Sequence, residues 1–74
     1  MAALVVTDEM VTAYLAAVED CGRVRGSDYV ADVLCRDIVA RAMARFGVAL
    51  EEDPPGYLKL SYEDAQAIRA ASGR

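Results

Sequence analysis

The sequence predicts a small α+β domain in the order α-α-β-β-α: a helix-turn-helix pair, a β-hairpin and a C-terminal helix. Three observations carry this reading. Thr7, Ser27 and Ser61 each stand just before a stretch of helical periodicity, where a hydroxyl can accept an orphan N–H of the first turn. Gly22 and Gly47 stand just after such stretches, where glycine adopts the left-handed conformation without steric cost. Between the second and third stretches, Asp53-Pro54-Pro55-Gly56 separates two short runs suited to strands.

The first helix is expected over Asp8 to Cys21. Met10, Val11, Tyr14, Leu15, Val18 and Cys21 recur at the spacing of one helical stripe. Asp8 and Glu9 oppose the positive end of its dipole, whereas Glu19 and Asp20 stand at the unfavourable end. Either Arg23 and Arg25 compensate those two acids, or a partner does. The short connector Gly22 to Gly26 forces the second helix back against the first.

Ser27 opens the second helix, with Asp28 in its first turn. Val30, Ala31, Leu34, Cys35, Ile38, Val39, Ala42, Met43 and Phe46 form its apolar face. Asp32–Arg36 and Asp37–Arg41 are i,i+4 pairs with the acid N-terminal, the better orientation for an exposed face. Gly47 ends this helix, and Val48 is placed to reach back to Met43.

Val48 to Glu52 and Leu58 to Leu60 are expected as strands, with Pro55-Gly56 at the centre of a type II turn. Pairing Leu50 with Leu60 buries both and sets Glu51 opposite Lys59, whereas a one-residue slip sets Leu50 against a lysine. Ser61 and Asp64 suit a shortened capping box for the third helix, whose stripe is Ala65, Ile68 and Ala71. The tail Ser72-Gly73-Arg74 should fray.

Seventy-four residues form one domain, residues 1–74, near the lower limit at which a core stands unaided. Hydrophobic residues make up 55% of the chain, but many are alanines. A thin core suggests modest stability or further burial in a dimer or complex. The net charge of −4 and pI near 4.5 argue against general binding to nucleic acid or anionic membranes, and fit docking on a basic protein surface. The apolar start lacks the basic residues of a signal peptide, and no run approaches the length of a membrane span, so a cytoplasmic location is expected.

The chain has no histidine, which removes the commonest general base and metal ligand. Cys21 and Cys35 match neither a redox C-x-x-C pair nor a zinc pattern, and are expected to stay reduced and packed. No glycine-rich phosphate loop is present. So small a chain leaves little room for a pocket of the usual ligand volume. The reading is therefore a protein that is not an enzyme, with no catalytic residues, no metal and no cofactor.

Glu51-Glu52-Asp53 is the densest acidic run and projects from the hairpin. Tyr57 and Tyr62 bracket the return strand, and tyrosine is enriched at interface hot spots. These five residues, Glu51, Glu52, Asp53, Tyr57 and Tyr62, are the candidate partner-binding set. Arg36, Arg41 and Arg45 lie on the second helix; Arg41 and Arg45, i,i+4 neighbours, could grip a carboxylate or phosphate, the alternative being intrahelical pairing with Asp32 and Asp37.

Gly56-Tyr57-Leu58-Lys59-Leu60-Ser61-x-x-Asp64-Ala65-x-x-Ile68 resembles the wing and following helix of the MerR and excisionase group. That resemblance implies a winged helix-turn-helix DNA-binding regulator, although Leu58 stands where the family usually carries arginine. In size, acidity and lack of active-site residues, the chain is similar to inhibitors, antitoxin-like modulators and phage-encoded anti-CRISPR proteins. The favoured expectation is a non-catalytic module that inhibits or modulates a partner with a basic surface, homodimerisation remaining open. The DNA-binding regulator is the alternative.

Overall fold

Thr7 Oγ1 accepts the Met10 N–H at 3.2 Å and starts the first helix, α1 (Asp8–Cys21). The computed structural model describes residues 4–24 and 28–73. Four further elements follow: α2 (Tyr29–Met43), β1 (Leu50–Glu52), β2 (Leu58–Leu60) and α3 (Tyr62–Ser72). The chain is a small compact domain of three helices and one antiparallel hairpin, in the expected order. Ser27, expected as the second cap, lies outside the described residues, with Arg25, Gly26, Met1–Ala3 and Arg74. Asp28 caps α2 instead, its Oδ1 accepting the Ala31 N–H at 3.0 Å.

The two glycine stops differ. Gly22 keeps right-handed geometry, with its N–H turned to the Val18 and Glu19 carbonyls, so its freedom is not used. Gly47 takes φ +75°, the left-handed stop, but it closes a 3₁₀ turn (Ala44–Phe46) that tightens the end of α2. The reversal brings Val48 into the cluster of buried side chains that holds Met43. Ser72 is the last residue of α3 and donates to the Ile68 carbonyl at 2.7 Å, so the expected fraying does not reach it.

Met10, Met43, Val48 and Ile68 form the centre of the core, with Tyr14, Val39, Phe46, Leu50 and Leu60 around them. The apolar stripes are rotated from those expected. Leu15 (50%) and Val18 stay exposed on α1 while Ala17 is buried. On α2, Val30 is 61% exposed, whereas Val33 and Ala40 are buried. The reason is close approach: α1 against α2 is the most extensive contact in the fold, and buried alanines let two backbones approach.

The hairpin register is Leu50↔Leu60, Glu51↔Lys59 and Glu52↔Leu58, as hydrophobic matching requires. The Tyr57 N–H donates to Pro54 at 3.0 Å, and Gly56 at φ +91° supplies the positive angle of a type II turn. Ser61 donates to Ala49, and Asp53 to Tyr57, which makes Leu50–Leu60 and Glu52–Leu58 the non-hydrogen-bonded pairs. The Leu58 N–H therefore points away from β1. It finds Asp37 Oδ1 of α2 at 2.8 Å, while Asp37 Oδ2 accepts Arg41 Nε at 2.7 Å. Asp37 thus does more than form the expected exposed helix pair: its side chain is 15% exposed and ties α2 to the sheet.

Asp64 behaves likewise. Ser61 Oγ accepts the Asp64 N–H at 3.4 Å, but the Asp64 carboxylate does not complete a capping box. Its Oδ2 accepts the Ala49 N–H at 2.7 Å, because the Ser61 N–H is already given to the Ala49 carbonyl.

The Arg41 guanidinium, and then the Leu58 N–H, hold the Asp37 carboxyl below the usual carboxylate range. A carboxyl with a lowered native pKa stabilises the fold above its unfolded value and loses that contribution as pH falls. Asp37→Asn should cost about 1–3 kcal/mol at neutral pH by weakening two bonds to a charged acceptor. In urea denaturation the gap between variant and wild type should narrow as pH falls below about 4.

Candidate interaction site

Alternation along β1 turns Leu50 toward the core and Glu51 to the opposite face, while Glu52, on the Leu50 face, is exposed as well, with Asp53 beyond it. Lys59, directly opposite Glu51, instead reaches diagonally to Asp53 Oδ2 at 3.2 Å. Glu51 and Glu52 form no ion pair among the described residues. The rest of the acidic set divides in a related way, with Asp8 the one aspartate among the described residues whose side chain makes no such contact. Asp20, Asp32, Asp37 and Asp53 pair with bases, and Asp28, Asp37 and Asp64 accept backbone N–H groups. Among the described residues no glutamate side chain does either. Short aspartates reach neighbouring backbone, whereas glutamates extend into solvent.

Tyr62, the first residue of α3, is 74% exposed, and Tyr57 is 38% exposed. The five candidate residues separate into two groups. Glu51 and Tyr62 both line a cleft of about 500 Å³, whereas Glu52, Asp53 and Tyr57 lie along the hairpin toward its turn. Tyr14 and Val18 of α1, Val39 of α2 and Leu60 of β2 form much of the apolar lining of this cleft. Arg36 and Lys59 add two positive charges beside Glu51. The cleft corrects the expectation that a 74-residue chain lacks such space, since its volume falls within the usual ligand range of roughly 300–1,000 Å³. Small residues at the walls, Cys21, Cys35 and Ala65, leave the gap unfilled.

The intrahelical pairings with Asp32 and Asp37 are formed. Arg36 Nη2 binds Asp32 at 2.8 Å, Arg41 binds Asp37, and Arg45 lies 4.6 Å from the centre of the Phe46 ring. Arg23 neutralises Asp20 at the end of α1 at 2.6 Å, as the charge pattern suggested. The Arg36 Nε is buried without an acceptor.

Both cysteines are free and half-buried on the cleft wall. Cys21 Sγ donates to the Cys35 carbonyl at 3.4 Å, and Cys35 Sγ to the Cys21 carbonyl at 3.6 Å. Sequence spacing did not reveal this meeting, because fourteen intervening steps around a turn say nothing of helix register. Among the described residues no group of three or more acidic, cysteine or histidine side chains could hold a metal ion. No described helix is long and apolar enough to cross a membrane. Comparison with protein-family models, with curated proteins and with solved structures finds no match to this chain.

Burial pushes the Cys21 thiol up to about 11, helped by the adjacent Cys35 thiol and the Asp20 carboxylate. The thiolate is the reactive form, so alkylation of Cys21 by iodoacetamide should be slow at neutral pH and rise about tenfold per pH unit. Because the native pKa is raised, folding stability from this group is complete below the ordinary thiol range and declines as pH rises toward about 11. Peptide-resolved mass spectrometry across pH checks the first expectation. Cys21→Ala should reduce the alkaline loss of stability.

Proposed function

We propose that this protein is a non-catalytic binding module that docks its acidic hairpin on a basic surface of another protein and so inhibits or modulates that partner. The observation that carries the reading is that Glu51, which forms no ion pair, and exposed Tyr62 line one cleft, while exposed Glu52 lies further along the hairpin. An aromatic anchor next to a carboxylate that forms no ion pair offers apolar contact area and electrostatic selection in one patch. The net charge of −4 adds long-range attraction toward a cationic partner. Backbone pairing and the Asp37 and Asp64 contacts hold the hairpin, so little ordering is needed on binding.

Glu51→Lys with Glu52→Lys should abolish capture of the partner from a host lysate while changing stability by no more than about 0.5 kcal/mol. Tyr62→Ala should weaken the same capture. Glu9→Lys with Glu19→Lys makes the same charge change on α1 and should leave capture largely intact. Retention of the wild-type partner should fall as salt rises, since screening shortens the reach of exposed charges to roughly 8 Å at physiological ionic strength. Equal loss in both double variants would reduce the reading to net charge alone. Duplex DNA binding that survives the Glu51/Glu52 reversal and is lost on Arg41→Ala with Arg45→Ala would replace it with a nucleic-acid function.

A further inference from the structure

Cys21 is the last residue of α1 and Cys35 lies within α2, and helix packing sets them against each other. Each sulfur lies beside the other residue's backbone carbonyl, at 3.4 and 3.6 Å. Reciprocal contacts of this kind set the two cysteine side chains next to each other across the helix interface. Bond formation requires the two sulfurs to turn from these carbonyls toward each other. Both residues line the open cleft, so a small reagent has access to them. Neither is needed for the binding reading above.

We propose that Cys21 and Cys35 form a redox-active dithiol, which a low-molecular-weight disulfide of the glutathione type converts to an intramolecular Cys21–Cys35 disulfide. One protein thiolate attacks a sulfur of the reagent, forming a mixed disulfide and releasing one reagent thiol. The second protein thiolate attacks the protein-side sulfur of that bond, closing the ring and releasing the other reagent thiol. Two protein thiols lose two electrons and two protons, and the reagent disulfide becomes two thiols. The product joins the end of α1 to the middle of α2 along one wall of the cleft. It therefore restrains the element pair with the most extensive contact in the fold.

The test incubates the full chain in graded mixtures of reduced and oxidised glutathione, quenches with acid and measures intact mass. The expected product is a monomer lighter by two hydrogens, restored by dithiothreitol, with a higher melting temperature than the reduced protein. Cys21→Ser and Cys35→Ser should each stop at a single glutathione adduct. Because folding holds the thiols together, the equilibrium constant for ring closure should be roughly tenfold or more higher in native buffer than in urea. A constant in native buffer equal to or below that in urea would overturn the proposal. So would persistent glutathione adducts on the wild type, or disulfide-linked dimers as the main product.

Discussion

One carboxylate decides where the sheet can sit. Asp37 projects from the middle of α2 and accepts the Leu58 N–H, which the ladder turns away from β1. A two-stranded hairpin is marginal by itself, and its outward N–H groups need partners if they are covered. Asp64 does the corresponding work at the entry to the other strand by taking the N–H of Ala49, the residue before β1. Two helices thus hold the hairpin by charge-assisted bonds, one at each strand. The position of Glu51, the path of Lys59 to Asp53 and the cleft between the hairpin and the helices all depend on this anchoring.

The core shows how a chain of this size manages with few large side chains. Met43 and Ile68 are fully buried, Met10 and Val48 nearly so, and much of the remaining interior is alanine. Methionine adapts to irregular gaps, and alanine allows backbones to approach. The same economy leaves larger apolar side chains outside. Leu15, Val18, Val30 and Tyr62 remain exposed, and the space between α1, α2 and the hairpin stays open as the cleft. A core built from small residues and an unfilled surface cleft are two results of one composition.

Asp8 apart, the acidic surface divides by side-chain length. Aspartates make the local structure: they cap α2, anchor both strands and close ion pairs on α1, α2 and the hairpin. Glutamates are left without such contacts among the described residues. The charge available to another molecule is therefore concentrated on positions whose change costs the fold little, Glu51 and Glu52 foremost. This separation makes the binding reading testable without unfolding the protein.

Element order, the starts of α1 and α3, and strand register were legible from single residues. Thr7 and Ser61 cap because a hydroxyl one step before a helix has a nearby N–H to accept, and Leu50–Leu60 pair because the alternative buries a lysine. Gly56 turns the hairpin because the turn requires a positive φ. These are local rules, and neighbours within four or five residues decide them. The rotation of the helix faces was not local. Val33 and Ala40 became interior, and Val30 exterior, according to where α1 crosses α2. Asp37 lies four residues after Val33 and three before Ala40, on that buried line, which turned an apparent surface ion pair into the anchor of β2. The meeting of Cys21 with Cys35 and the opening of the cleft have the same origin. Sequence periodicity gives a helix its stripe, but the angle at which two stripes meet depends on side chains far apart in the chain, and only packing brings those together.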